Sequence, residues 1–140
     1  MKKVMIAVDG GVLSEATAHA GYELARWMGA VVALVYVVDN IGAMGDSGIS
    51  AREWEALEEK EGRDMLERLK REMGATDAWI FVEAGSAART ILKLAAEWGA
   101  DVLVIGTHGR KGVTHLLMGS VAEHIIRHAG RPVLVIPAMR

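Results

Sequence analysis

The stretch VLVIGTHGRKGVTHLLMGSVAEHII, residues 102–126, decides how the rest of the chain is read. It opens on Val102, Leu103, Val104 and Ile105, a short apolar β-branched run of the kind that fills a buried parallel strand. The run breaks at Gly106. Gly106 and Gly109 frame a turn, and a polar segment with Arg110, Lys111, Gly112 and Thr114 follows. Gly119 and Ser120 then open an amphipathic helix that reaches His128. A strand, a glycine turn and a return to a helix start together make a device for holding an anion. Glycine admits close backbone approach and positive φ, and the first N–H groups of a helix point outward unpaired. The Ser120 hydroxyl adds a donor for a phosphate oxygen. It has a competing use, because Ser120-x-x-Glu123 also spells a capping box. Gly106, in turn, could simply end a strand.

Working outward, the chain alternates apolar runs with helical patterns. Residues 4–8, Val31–Val38, 78–82 and Val133–Ile136 read as further strands. The first exits through Asp9-Gly10-Gly11. Ser14 is the expected N-cap of a helix in which Ala16, Ala20, Leu24 and Trp27 recur at helical spacing, up to Gly29. Residues 40–50 (NIGAMGDSGIS) are glycine-rich and weakly patterned, a loop on the carboxyl side of the second strand. Ser50-x-x-Glu53 caps a long charged helix with Trp54, Leu57, Met65, Leu69 and Met73 expected inside and Gly74 at its end. Gly85-Ser86 leads into a helix burying Ile91, Leu94, Ala95 and Trp98, stopped by Gly99. Strands that are apolar throughout, alternating with helices, argue an α/β domain with a parallel sheet covered on both faces.

Composition narrows the function. The 140 residues are 51% hydrophobic, enough for one compact domain over 1–140. A net charge of −2 gives no electrostatic case for nucleic acid. Without cysteine there is no disulfide, thiol nucleophile or cysteine-held zinc. The start runs straight into a strand and no apolar run approaches the ~20 residues of a membrane span, so a cytoplasmic protein is expected. One asparagine and no glutamine, beside plentiful Glu, Arg and Lys, is the depletion that thermophile proteins tend to show.

The spacing Gly106-x-x-Gly109, nine residues, Gly119-Ser120 resembles the nucleotide-binding signature of the universal stress protein family, G-x2-G-x9-G-[S/T]. The resemblance extends through Val8-Asp9-Gly10, Val35-Tyr36-Val37-Val38-Asp39 and Pro132-Val133-Leu134-Val135-Ile136-Pro137, and so spans the chain. It implies a doubly wound, Rossmann-like, five-stranded sheet in the order 3-2-1-4-5. Ligands in such sheets sit where the strand order reverses, here between strands 1 and 4. It further implies an adenine nucleotide (ATP, or AMP or ADP), with any Mg2+ held by the phosphates. Asp9 would contact the adenosine part, Val37 would read the base edge through its backbone, and Gly106, Gly109, Gly119, Ser120 and Val121 would hold ribose and phosphates. Each residue has a plainer reading: an Asx-turn for Asp9, a buried strand valine for Val37, a solvated pair for Arg110 and Lys111. The chain departs from the family at Ala7, where relatives carry proline, and at Gly11, where serine is common.

Other chemistries find little support. His124 and His128 lie four apart on one helix, but no acidic or cysteine ligand is placed with them, and the pair reads as a chance spacing without a metal. His108 shapes the turn. Gly-x-Ser-x-Gly and the Walker pattern are both absent, so no catalytic residue is assigned, and any ATP hydrolysis should be slow. The expectation is a nucleotide-dependent stress-response binding module. The alternatives are a slow Mg-dependent phosphohydrolase and a nucleotide-free dimeric scaffold. The apolar last strand, an edge in the implied order, predicts a homodimer through Val133–Ile136.

Overall fold

The computed structural model describes residues 1–39, 50–108 and 118–138. Its elements are β1 (Lys3–Ala7), α1 (Ser14–Met28), β2 (Val31–Val38), α2 (Ala51–Met73), β3 (Trp79–Ala84), α3 (Ala87–Trp98), β4 (Val102–Gly106), α4 (Ser120–His128) and β5 (Val133–Ile136). The five strands form a parallel sheet in the order β3-β2-β1-β4-β5. The third strand runs two residues beyond the expected 78–82.

The uninterrupted apolar strands are explained by their two covered faces. Val4, Ile6 and Val8 point into one cluster with Ala18, Ala25, Leu66 and Leu69 of α1 and α2. Met5 and Ala7 point into the other, with Ile91, Leu94, Ala95 and Ile125 of α3 and α4. Each fully buried Leu, Ile or Met side chain contributes about 1.5–3 kcal/mol of transfer free energy. Helix and sheet approach most closely at glycines. A Cβ on Gly21 would lie 2.7 Å from Ile6, and one on Gly62 would lie 2.2 Å from the ring of Tyr36.

Two inner faces differ from their sequence-based expectation. On α1 the buried stripe is Ser14, Thr17, Ala18, Gly21 and Ala25, whereas Ala16 is exposed and Trp27 is 81% exposed. On α2 the buried residues are Gly62, Leu66 and Leu69, and Trp54 and Leu57 face solvent. In both helices small residues mark the inner face, because they let the helix axis come down onto the sheet. Trp27, Trp54 and Leu57 are left outside, whereas Leu66 and the expected Leu69 are fully buried and the expected Leu24, Met65 and Met73 pack against the same cluster. On α3 the expected residues Ile91, Leu94 and Ala95 are inside, and Trp98 packs edge-on against Phe81.

The amino edge of the sheet is tied by polar clips. The Lys3 N–H donates to Asp101 Oδ2 at 2.8 Å, and Lys3 Nζ donates to the Trp98 carbonyl at 2.9 Å while lying over its ring. The Arg131 guanidinium donates to the carbonyls of Ala95 and Ala100, at the end of α3, and of Ala129, just past α4. Helix α1 stops at Gly29, whose φ of 64° is a left-handed conformation open to glycine.

Candidate functional site

Each of β1 to β4 is followed in the chain by a helix, so each strand-to-helix step starts from the carboxyl edge. β1 leads to α1 on one face and β4 leads to α4 on the other, although β1 and β4 are neighbours. Helices α1 and α4 therefore cover opposite faces of the sheet at this point, the position at which open α/β sheets hold their ligands.

The β1 exit is a tight, internally bonded turn. Asp9 Oδ1 accepts the Gly11 N–H at 2.9 Å, so the Asx-turn reading of Asp9 holds for one carboxylate oxygen. Gly10 has φ 85°, and its N–H donates to the Ser14 hydroxyl at 2.9 Å. Ser14 is therefore not the N-cap expected from sequence. The cap is Leu13, which offers no side-chain bond, and Ser14 is the first helical residue, buried and turned back to hold the β1 exit.

The β4 exit is shaped differently. Gly106 has no positive φ, contrary to the expected role of its conformational freedom. What it supplies is space: a Cβ there would lie 3.2 Å from Thr17 Oγ1 and 3.3 Å from Leu13 Cβ. Gly106 lets the first turn of α1 close over the end of β4. The next residue, Thr107, accepts the Gly119 N–H on its carbonyl at 2.6 Å and donates its own N–H to Ile136 at 2.9 Å. The start of α4 is thereby pinned to the exit of β4. His108 sits at the same turn, with Nδ1 3.3 Å from Thr107 Oγ1. Gly109, Arg110 and Lys111 lie outside the described residues, as does most of the 40–50 loop.

Helix α4 begins without a side-chain cap. Its N-cap is Gly119 (φ −75°, ψ 164°), and Ser120 is already inside the helix. The capping box spelled by Ser120 and Glu123 does not form, and Glu123 pairs with Arg127 at 2.9 Å instead. The exposed Ser120 hydroxyl and the 40%-exposed Val121 stand in the first turn of α4, where N–H groups and the helix dipole favour an anion.

Val37 has a geometric reason to matter that its sequence context lacked. The β1–β2 ladder ends with Ala7 beside Val35, closed by the bond from Val8 N–H to the Val35 carbonyl. In a parallel strand every second residue points its N–H and C=O the same way. Those of Val37 therefore point toward the space beyond the end of β1, and the ladder to β1 does not take them up. Asp9, Val37, Gly106, Gly119, Ser120 and Val121 thus all lie at the carboxyl ends of β1, β2 and β4 or at the start of α4, which is tied to β4.

Sequence reasoning missed Thr17. It is 1% exposed, it faces Gly106, and its Oγ1 has no hydrogen-bond partner among the described residues. The available signal was the small-residue stripe Thr17, Ala18, Gly21, which marks the inner face of α1 better than Trp27 does. Among the described residues no group of three or more His, Asp or Glu side chains is placed to hold a metal ion, and no helix is long and apolar enough to cross a membrane.

Comparison with known proteins agrees with this architecture. A model of the universal stress protein family matches residues 1–137. A relative, universal stress protein MJ0531 of Methanocaldococcus jannaschii, is 34% identical over 140 residues, covering 96% of this chain and 81% of that protein. The solved structure of MJ0577, described as a hypothetical protein whose biochemical function was assigned from structure, superposes with a TM-score of 0.85 at 23% identity, covering 99% of this chain and 97% of the other. The universal stress protein of Archaeoglobus fulgidus in complex with dAMP superposes with a TM-score of 0.68 at 25% identity, covering 97% of each chain.

Proposed function

Because this chain belongs to the universal stress protein family, we propose that it is a cytoplasmic binding module for an adenine nucleotide, held in the crevice between β1 and β4. The observation that carries this reading is the start of α4. It is uncapped, it carries an exposed serine hydroxyl, and the Gly119–Thr107 bond fixes it at the point where the strand order reverses. A phosphate supplies the acceptor that no side chain of the helix supplies.

In this reading the N–H groups at Ser120 and Val121 and the Ser120 hydroxyl bind phosphate. Gly106 keeps the floor low, and Gly109 belongs to the same spacing motif. The backbone of Val37 reads the adenine edge, and Asp9 meets the ribose side. ATP is the proposed ligand, with AMP or ADP occupying the same base and ribose positions. Mg2+ is held by the phosphates, since the described crevice offers no cluster of ligands for it. The relative solved with dAMP supports the base and ribose part of this assignment.

The half-buried edge strand β5 is the proposed homodimer interface. Light scattering at micromolar concentration should give twice the chain mass; a monomer would remove this part of the proposal.

The direct test of the ligand is mass spectrometry of the small molecules released when purified protein is denatured. Near-stoichiometric ATP or AMP is expected. If the protein is isolated empty, millimolar ATP should raise the melting temperature. An empty protein with no such shift overturns the proposal. Steady release of ADP or phosphate would move the reading from binding module to slow phosphohydrolase.

A further inference from the structure

Outside the crevice, the C-terminal half of α4 carries the clearest unassigned chemistry. His124 and His128 stand one turn apart, with ring centroids 4.5 Å apart and planes inclined by 36°. Sequence spacing alone reads as coincidence, and the structure adds three facts.

The first is a fixed tautomer. His128 Nδ1 lies 2.9 Å from the carbonyl oxygen of His124. A carbonyl oxygen only accepts, so Nδ1 carries the proton. In the neutral ring the lone pair is then on Nε2. An imidazole donating one N–H to a backbone carbonyl while offering the other nitrogen is the arrangement that orients metal-bound histidine. The second is access: His124 is half-buried and His128 exposed, so a hydrated ion reaches the pair without any opening of the core. The third is the local field. The one cation beside the pair on the described part of α4, Arg127, is matched by Glu123 at 2.9 Å. His128 is the last residue of the helix, where the dipole favours positive charge.

We propose that His124 and His128 form a two-imidazole site for a borderline divalent transition-metal ion, Zn2+, Ni2+ or Cu2+, whose remaining positions are filled by water. Two histidines at i and i+4 on one helix face span one such ion. Imidazole selects this class over Mg2+ and Ca2+, which take oxygen ligands. The site is separate from the phosphate end of α4 and does not depend on the nucleotide reading.

The test uses the full-length chain in a non-coordinating buffer with Zn2+ and Cu2+ as probes. Calorimetry should give one Zn2+ per chain at this site, undisturbed by excess Mg2+. Either His124→Ala or His128→Ala should weaken it by at least about 10-fold, since losing a ligand costs no less than losing the partner that orients one. The exposed His19→Ala on α1 should leave it unchanged. The electron paramagnetic resonance spectrum of the Cu2+ form should show hyperfine splitting from two nitrogens, reduced to one by either substitution. A merely structural histidine pair would not produce that signature. Unchanged Zn2+ binding in the double variant, or a spectrum without paired nitrogen splitting, overturns the proposal.

Discussion

Two helices of this chain begin with the same four-residue signature, Ser50-x-x-Glu53 and Ser120-x-x-Glu123, and the fold uses them in opposite ways. In α2 the serine is the N-cap (φ −67°, ψ 157°), its Oγ accepts the Glu53 N–H at 3.1 Å, and its hydroxyl contacts the Glu53 carboxylate at 3.2 Å. In α4 the helix starts one residue earlier in the pattern. Gly119 takes the cap position, Ser120 enters the first turn, and Glu123 turns to Arg127. The physical difference is the bond from Gly119 N–H to the Thr107 carbonyl, which fixes the start of α4 against β4 before any side chain can choose. A helix start that closes on itself serves stability, and one left open by a tertiary bond is available to a ligand.

This contrast can be broken most sharply at the cap itself. Gly119→Asp places a carboxylate against the proposed phosphate site; at a few ångströms this should weaken nucleotide binding by about 100-fold or more. The same change should raise fold stability by a few tenths of a kcal/mol, because Asp caps better than Gly. Calorimetric titration and urea midpoints on one sample separate the two effects, and a fall in both would refute the assignment.

Ser120→Ala comes next. Loss of a hydroxyl bond to a charged group, worth about 1.5–3 kcal/mol, should reduce affinity by about 10- to 100-fold, while the unfolding free energy from urea titration stays within about 0.5 kcal/mol of the parent. Ser50→Ala should do the reverse, costing about 1 kcal/mol of stability and leaving affinity alone. The smallest effect belongs to Glu123→Gln, which removes a solvent-exposed i,i+4 pair worth about 0.3–0.5 kcal/mol. If the glutamate were half of a working capping box, its loss would instead approach that of Ser50.

The sequence made some elements legible and hid others for definite reasons. The apolar run of β5 is bounded by Pro132 and Pro137, and that of β2 by the Gly29 helix stop and by Asp39, so both elements match their expected limits. The strand order rested on the family resemblance, because side-chain pattern records burial but not which strand lies beside which. The inner face of α1 was misjudged because residue type was taken as a proxy for depth, whereas Gly21 is inside for its lack of a side chain and Trp27 is outside. At the site, Gly106, Gly119 and Ser120 were visible as spacing. The turning of Val37's backbone toward the crevice was not, since it depends on where β1 happens to end. Nor could spacing distinguish the two Ser-x-x-Glu motifs, which differ only through a bond to a residue twelve positions away in the chain.

The Arg131 clip at the opposite edge of the sheet bears on how such a chain diverges. Its three acceptors, at Ala95, Ala100 and Ala129, are main-chain carbonyls, which every amino acid provides. Selection therefore has to preserve one codon rather than four to keep the ends of α3 and α4 together. The acceptor positions can change identity without loss of these bonds, which leaves the carboxyl edge of the sheet free to diverge.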